Sequence, residues 1–239
     1  MTARLFLDDP YLTRAKATVM AHTPEGGIVV DRSVFYPTGG GQPGDSGHIT
    51  WAAGRAEIMT TVKGEGESIA LIPGDGAALP PVGQEIEQVL DWERRHRHMR
   101  VHTGLHLLSV VIPLPVTGGS IGTEKGRLDF NMPEAPEDKP GIEAALNALV
   151  ARDLAVTEGW ISDDDLRANP GLVKTMSVAP PMGAGRVRLI RIGTDADQVD
   201  LQPCGGTHVR SSAEIGALRI GKIEKKGRQN RRVYMHLAD

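Results

Sequence analysis

The first third of the chain alternates hydrophobic and polar residues and is broken every few positions by glycine or proline. The alternation is clearest in GIVVDRSVFY, residues 27–36, and in AEIMTTV, residues 56–62. A period of two predicts strands with one buried face, and short strands separated by turns are typical of a small β-barrel or sandwich. No long helical period is visible before residue 84, so we predict an all-β region over residues 1–90.

The pattern changes in DWERRHRHMRVHTGLHLLSVVI, which begins at Asp91. Hydrophobic residues now recur every three or four positions, as at Val101, Leu105 and Leu108. This spacing predicts a helix whose C-terminal half is largely buried. Pro113 is predicted to end the helix, because proline cannot continue the hydrogen-bond ladder.

The rest of the chain mixes helical and strand patterns. A second helix is predicted in GIEAALNALVARDLAV, residues 141–156, and Ser162 is placed to cap a short helix in SDDDLRAN, whose first turn is acidic. Strands are predicted in RVRLIRIG, ALRIGKIEKK and RRVYMHL, which alternate. The chain is therefore predicted to be α+β. The helical spacing of the second helix is carried by Ile142, Leu146, Leu149 and Leu154.

Composition limits the class of protein. The 239 residues are 40% hydrophobic with a formal net charge of −3, which suits a soluble globular protein. No apolar run approaches the roughly 18 residues of a membrane span, so we expect no membrane partner. The start of the chain has two acidic residues after a short apolar patch, unlike a secretory signal. The single cysteine, Cys204, excludes an internal disulfide framework, and we expect a cytoplasmic protein.

Two pairs of metal-ligand residue types stand out, each with a spacing of four. His102 and His106 fall on the predicted helix, which brings both onto one face. Cys204 and His208 flank two glycines, which predict a tight loop. Thiolate and imidazole are preferred zinc ligands, and four of them fill a tetrahedral shell. Each pair alone is explained equally by buried or capping polar residues.

The residue that follows the first histidine bears on whether the protein is a zinc peptidase. Thr103 occupies the position where an H-E-x-x-H metalloprotease carries its glutamate. A zinc peptidase is therefore disfavoured.

Taken together, the motifs resemble the editing domain shared by alanyl-tRNA synthetase, threonyl-tRNA synthetase and the AlaX trans-editing proteins. The metal-ligand pairs lie in HTGLHLLS, residues 102–109, and CGGTHV, residues 204–209. Three further stretches resemble the alanine-type pattern in the same order: FYPTGGGQPGDSG (35–47), GRLDF (126–130) and EIGALRIGKIEKKGRQNRRVYMHL (214–237). No adenylate-forming domain precedes them and no long C-terminal extension follows, so we expect the medium-length free-standing form, not a synthetase.

The resemblance implies both a fold and an activity. The fold is a small N-terminal β-barrel with the glycine-rich motif, residues 1–90, followed by a zinc-binding mixed α/β editing domain of the second-additional-domain type, residues 91–239. The activity is zinc-dependent hydrolysis, in trans, of the ester that joins serine, and also glycine, to alanine tRNA. One Zn²⁺ per chain is expected, with at least three ligands bound at once and His208 the weakest. The zinc and catalytic group comprises His102, His106, Cys204 and His208.

Two stretches are expected to shape the substrate pocket. PTGGGQPGDSG lacks the lysine and following helix of a phosphate-binding P-loop, so a plain β-turn loop is the simpler interpretation. The resemblance implies that this loop packs against the editing cleft, with Thr38 and Gln42 helping to form the pocket and Asp45 a turn residue. Thr117 follows the strand-like IPLPV and is expected either to line the pocket or to complete a turn before two glycines.

Residues 221–239 are locally basic, although the net charge gives no global nucleic-acid footprint. A basic cluster suits phosphate contacts with the acceptor stem of alanine tRNA, and a solvated edge hairpin protected by charge explains it equally. Further arginines lie in ERRHRHMR, beside the first metal pair. The hairpin residues are Lys222, Lys225, Lys226, Arg228, Arg231 and Arg232, and the helix residues are Arg94, Arg95, Arg97 and Arg100.

Two other functions fit the same residues. One is a zinc-stabilised RNA-binding module without catalysis, and the other is a metal-dependent hydrolase of small esters or amides. Activity on free esters without tRNA distinguishes the second from a tRNA deacylase. The chain is expected to be a monomer or a weak dimer.

Overall fold

A computed structural model describes residues 1–174 and 185–239 of the chain. The chain forms two compact units, Met1–His96 and Arg97–Asp239. The first is dominated by strands and the second combines helices with two sheets, which confirms the predicted α+β class. No helix among the described residues is long and apolar enough to span a membrane.

The first unit contains a closed six-stranded barrel, so the barrel is confirmed over the sandwich alternative. Around the barrel the strands run in the order β2-β3-β7-β6-β5-β8, and a two-residue parallel pair, β1 with β4, lies outside it. On β8, Ile86, Gln88 and Leu90 are buried at every second position, as strand alternation requires. The elements are β1 Ala3–Arg4, α1 Leu5–Asp8, β2 Arg14–His22, β3 Ile28–Val30, β4 Arg32–Ser33, β5 Gly47–Trp51, β6 Gly54–Lys63, β7 Ile69–Pro73 and β8 Glu85–Leu90.

The second unit contains two antiparallel sheets. One has the strand order β14-β15-β10-β9 and the other β11-β12-β13. Helix α2 begins in the first unit and continues into the second. The elements are α2 Trp92–Val111, β9 Val116–Ile121, β10 Lys125–Asn131, α3 Lys139–Ala151, β11 Val156–Ser162, α4 Asp163–Ala168, β12 Arg186–Gly193, β13 Gln198–Pro203, β14 Leu218–Lys226 and β15 Asn230–Leu237, with short 3-10 turns at Pro170–Leu172 and Ser212–Ile215.

Helix α2 is buried on all sides along residues 101–109. On the side of the four-stranded sheet, glycines allow close approach: a Cβ added at Gly104 would lie 2.7 Å from Met235 Cε, and one at Gly126 2.7 Å from Val101 Cγ1. On another side, His106 contacts the three-stranded sheet through Asp200. Contacts with both sheets fix the rotation of the helix and hence the direction of its histidines.

The helix boundaries test the predictions made from spacing. Helix α2 ends at Val111, before Pro113, and Ser162 caps α4, both as predicted. The second predicted helix is too long, because α3 ends at Ala151. The chain turns away at Asp153, whose φ of 51° lies in the left-handed region that ends helices.

Candidate metal centre

Helix α2 presents His102 and His106 from one face, because the two residues are one turn apart. Each is only 7% exposed, and their ring centroids lie 5.2 Å apart. Leu107 and Leu108, beside them in the sequence, are fully buried. Hydrophobic packing therefore holds the helix in place while the two imidazoles form the polar part of a buried stretch.

The second pair lies on the loop that follows strand β13. Arg188 anchors this loop, since its Nη1 donates to the carbonyl oxygens of Cys204, at 3.2 Å, and Gly206, at 2.8 Å. The Cys204 amide in turn donates to the Arg188 carbonyl at 3.1 Å. Arg188 is itself buried and ion-paired with Glu158 at 2.7 Å. The loop predicted at the two glycines is confirmed, and its backbone is held by the side chains of Arg188 and Thr103.

The two pairs, far apart in the sequence, meet in space. One ligand atom from each of the four residues lies within 4.8 Å of every other. The Cys204 Sγ atom is 3.4 Å from His102 Nε2 and 3.3 Å from His208 Nε2. Three imidazole nitrogens and one thiol converging on a point form a donor set that suits zinc. Within the described ranges, no other group of three or more His, Cys, Asp or Glu residues converges in this way.

Hydrogen bonds behind the ligands determine which ring nitrogen faces the centre. His106 Nδ1 lies 3.0 Å from Asp200 Oδ2, a carboxylate oxygen that can only accept, so Nδ1 donates there and Nε2 faces the cluster. The Thr103 hydroxyl donates to the Met99 carbonyl at 2.9 Å and lies 3.1 Å from His208 Nδ1. Because the single hydroxyl proton of Thr103 is used, His208 Nδ1 is the donor and its Nε2 faces Cys204.

Asp200 is held in turn by two further side chains. Gln202 Nε2 donates to its Oδ2 at 2.7 Å, and Lys174 Nζ donates to its Oδ1 at 2.5 Å. The carboxylate is buried, so all its interactions are with protein groups. Four residues around the cluster belong to none of the motifs seen in the sequence: Asp200, Gln202, Lys174 and Arg188. A signal existed for two of them: Asp200 and Gln202 alternate with Cys204, and alternate residues of a strand lie on one face.

Burial and the neighbouring charges shift the pKa values of this cluster. Burial alone would raise the pKa of the Cys204 thiol, but His102 and His208 beside it outweigh burial and hold that pKa well below its usual value. Burial, aided by His102, lowers the pKa of His208 well below 6.5. A thiolate and a neutral imidazole are the forms that bind metal ions.

The pKa values of His106 and of Asp200, its hydrogen-bond partner, are shifted in opposite directions. Burial opposes charge on His106, yet Asp200 and Cys204 overcome it and raise the pKa of His106 to about 9. Burial would raise the pKa of Asp200, but His106 and Lys174 lower it to about 2. A metal ion must therefore displace a proton from His106, so its affinity falls as the pH falls.

The glycine-rich stretch of the first unit forms an internally bonded loop. The Thr38 hydroxyl accepts from the Gly44 amide at 2.9 Å and donates to the Thr61 carbonyl at 3.2 Å. Gln42 is 1% exposed, and its backbone pairs with Gly39. The loop is ordered by hydrogen bonds within it and by its bonds to Thr61 on β6, and a substrate contact through Thr38 or Gln42 stays a prediction.

Asp45, expected to be a turn residue, is instead a buried ion-pair partner. Its Oδ2 accepts from the Tyr36 amide at 2.6 Å and from Arg95 Nε at 2.9 Å. Arg95 is fully buried and also donates to the carbonyls of Pro10 and Val34. The expectation that Arg95 adds to a phosphate-binding surface is wrong, because its charge is used inside the barrel unit.

Other helix arginines are also engaged within the second unit. Arg100 donates to the Ile215 carbonyl and forms a two-point ion pair with Asp239. Arg97 donates to the Thr123 carbonyl at 2.9 Å. These arginines tie helix α2 to neighbouring loops and the chain end.

Thr117 lies in a strand rather than at the end of one. The strand is VTGGSI, residues 116–121, whereas the predicted strand IPLPV is irregular. The Thr117 hydroxyl donates to the Asp129 carbonyl on β10 at 3.1 Å. Thr117 therefore completes no turn. Because its hydroxyl proton is donated to Asp129, the hydroxyl oxygen can only accept any further hydrogen bond.

The basic hairpin β14–β15 divides into two groups. Arg231 is buried and donates to the Pro133 carbonyl, while Arg232 forms a two-point ion pair with Asp129. These two arginines are committed to the fold. The other four cations named from the sequence, Lys222, Lys225, Lys226 and Arg228, are exposed.

Comparison with known proteins gives two domain matches and several full-length relatives. Residues 187–234 match the Threonyl and Alanyl tRNA synthetase second additional domain, and residues 11–94 match the tRNA synthetases class II (A). The chain is 32% identical to an alanyl-tRNA editing protein AlaX-M of Methanosarcina barkeri and 30% identical to one of Methanosarcina acetivorans. In both cases the similarity covers 100% of each chain.

A longer relative shows where the resemblance stops. An alanine–tRNA ligase of Pyrobaculum arsenaticum is 34% identical over 94% of this chain, but the match covers 25% of the ligase. The similarity thus spans the barrel unit and the unit with the His and Cys cluster, and only a quarter of that synthetase. With its full-length similarity to the medium-length proteins, the chain belongs to the AlaX-M family of alanyl-tRNA editing proteins.

Proposed function

We propose that this chain hydrolyses the ester that joins a wrong amino acid, serine or glycine, to alanine tRNA, acting in trans. The observation that carries the proposal is the convergence of His102, His106, Cys204 and His208 within 4.8 Å in a chain that belongs to an editing family. Free-standing editing is a second selection step. It is needed because a pocket that selects by one methylene or hydroxyl gains only about 1–3 kcal/mol of discrimination.

We propose zinc as the cofactor, one ion per chain, held by these four residues. The fit rests on the donor set, on a Cys204 pKa that favours the thiolate, and on Nδ1 hydrogen bonds that direct the Nε2 atoms of His106 and His208 inward. When bound, zinc supplies a Lewis acid that polarises an ester carbonyl and acidifies water. The Nδ1 atom of His208 bonds to a neutral hydroxyl, whereas that of His106 bonds to a carboxylate. We therefore expect His208 to be the ligand that substrate displaces most readily.

The surrounding side chains hold the ligands and the substrate. Asp200 accepts from His106, Gln202 and Lys174, and its pKa of about 2 makes it a poor proton acceptor near neutral pH. We therefore assign Asp200 to positioning His106 and not to general base catalysis. Thr117 is proposed to accept a hydrogen bond from the serine hydroxyl, since its own proton is donated to the Asp129 carbonyl.

The tRNA contact is proposed to involve Lys222, Lys225, Lys226 and Arg228, which are exposed cations of the hairpin. Contacts of this kind bind phosphates regardless of sequence and weaken with salt. A single cysteine and a tRNA substrate both suit the cytoplasm, where we propose that the protein acts as a monomer or weak dimer.

The deciding experiment is deacylation of alanine tRNA charged with serine, glycine or alanine by the purified protein, with and without a chelator. We expect rapid release of serine and glycine, slow release of alanine, and loss of activity on chelation that zinc restores. Tight zinc without turnover of any aminoacyl-tRNA would indicate a zinc-stabilised RNA-binding module. Equal activity on small free esters without tRNA would indicate a general metal-dependent hydrolase.

A further inference from the structure

Strand β11 carries an exposed aromatic side chain that the site described above does not use. Trp160 is 46% exposed, although tryptophan is normally well buried. The guanidinium carbon of Arg186, on the neighbouring strand β12, lies 4.4 Å from the centre of the Trp160 ring. The pair forms a cation–π contact at the edge of the three-stranded sheet.

The strand register places this pair on the same sheet face as the metal centre. Trp160 lies opposite Arg188, and Ile190, two residues further on, lies opposite Gln202. Directly opposed residues, and alternate residues along a strand, share a face. Trp160 therefore shares its face with Gln202, which contacts His106. Because neighbouring strands lie about 4.8 Å apart, β11 is roughly 10 Å from β13.

The charges on this face leave one cation available. Arg188 lies between Trp160 and the cluster. Its charge is paired with Glu158, and its guanidinium also donates to the carbonyls of Cys204 and Gly206. Within residues 1–174 and 185–239, Arg186 forms no ion pair and contacts the Trp160 ring. The face thus presents a flat aromatic ring and an unneutralised guanidinium beside a centre that, on the proposed function, receives the esterified end of a tRNA.

We propose that Trp160 and Arg186 form a stacking platform for an unpaired base of the tRNA 3′ end, adjacent to the esterified nucleotide. The inference rests on the proposed function. Aromatic rings bind bases of any sequence through their faces, and arginine adds attraction to the base and the phosphate. The residues of β11 that share the face of Trp160, Glu158 and Ser162, are exposed and polar, so the surface lacks the contiguous apolar area of a protein-docking patch.

The first test compares a substrate that has the neighbouring bases with one that lacks them. Trp160→Ala should lower kcat/KM on seryl-charged alanine tRNA on the order of ten-fold, the typical effect of losing one stacked base. It should leave hydrolysis of 3′-O-seryl-adenosine unchanged, and Trp160→Phe should retain most of the tRNA activity. Matched controls are Thr157→Ala on β11 and Arg191→Gln on β12, whose positions alternate onto the other face of the sheet.

The second test does not need hydrolysis. The probes are two uncharged acceptor-stem RNA hairpins, one with the unpaired 3′ tail of a tRNA and one without it. The tailed RNA should quench tryptophan fluorescence of the wild type, and Trp160→Phe should lose that part of the quenching. Trp160→Ala and Arg186→Gln should weaken binding of the tailed RNA only, with zinc content and thermal unfolding unchanged.

These tests separate the platform from the proposed activity. If the protein deacylates nothing but Trp160 still governs binding of the tailed RNA, the deacylase proposal fails and the platform stands. If tRNA and seryl-adenosine lose activity equally in Trp160→Ala, or if both hairpins bind it as they bind the wild type, the platform is wrong. Binding of a protein at Trp160 with unchanged RNA binding would also overturn it.

Discussion

Each of the two units buries a polar cluster, and the two clusters are completed in different ways. In the barrel unit, Arg95 and Asp45 are 0% and 1% exposed, and the guanidinium donates to that carboxylate and to two backbone carbonyls. In the second unit, His106 and His208 are hydrogen-bonded on their outer sides, while the ligand atoms of His102, His106, Cys204 and His208 converge on one another.

The difference separates a structural cluster from a binding site. In the barrel unit the charges of Arg95 and Asp45 compensate each other, so the pair needs no additional ion, although Asp45 Oδ1 accepts no hydrogen bond from the described residues. Three ring nitrogens and a thiol that converge could hold a metal ion between them, since facing electron-pair donors repel one another unless a proton or a metal ion lies between them. Four variants test this contrast, from the largest expected effect to the smallest.

Replacing Cys204 with alanine should abolish the metal site while preserving the fold. The thiolate is the only anionic ligand of the cluster, so its loss should remove stoichiometric zinc and reduce deacylation to background. Elemental analysis and the rate on seryl-charged tRNA measure the effect, and circular dichroism tests the fold. Full activity in protein shown to contain no metal would refute the zinc proposal.

Replacing Asp45 with alanine should reduce stability and leave the metal site intact. The change leaves Arg95 buried without its counter-charge, which typically costs about 3–5 kcal/mol. Urea unfolding measures the loss, and zinc content should stay at one per chain. Glu85→Ala, which breaks the exposed Lys16–Glu85 pair, is the control and should change stability little. If Asp45→Ala lowered the free energy of unfolding no more than Glu85→Ala does, the Arg95–Asp45 pair would not be structural.

Replacing Asp200 with asparagine should weaken zinc binding without removing it. The amide preserves the shape but loses the charge that orients His106, and changes of this kind typically cost about 10–100-fold in metal affinity. Competition with a chelating dye gives the affinity directly. Asp197→Asn, at an exposed carboxylate paired with Arg152, should bind zinc like the wild type. Unchanged affinity in Asp200→Asn would show that His106 needs no carboxylate behind it.

Replacing Thr117 with valine should affect serine more than glycine. The valine keeps the shape but removes the hydroxyl, and one lost hydrogen bond is worth about 1–2 kcal/mol. Glycine has no side-chain hydroxyl to recognise, so its hydrolysis should change less. Deacylation rates on the two substrates give the ratio. Equal losses would assign Thr117 to its bond with the Asp129 carbonyl alone.

Local patterns predicted the elements that depend on local interactions. Alternation and glycine-punctuated turns predicted the barrel, helical spacing and Pro113 predicted helix α2, and Ser162 marked the start of α4. The helix α3 prediction ran too far, because hydrophobic spacing continued to Leu154 although the backbone had already turned at Asp153. Which backbone angles a residue adopts after a helix depends on what packs there, and spacing does not report it.

The sequence by itself determined the composition of the candidate metal centre: two pairs of potential ligands with a spacing of four, one of them containing the single cysteine. Only the tertiary structure decided that the pairs meet, that Asp200 and Thr103 set the ring orientations, and that Arg95 serves Asp45 and not a phosphate. The physical reason is that charge and hydrogen-bonding capacity belong to a residue, whereas the partner that uses them is brought from far along the chain by packing. A buried arginine and an exposed one look the same in sequence, and their energetics are opposite.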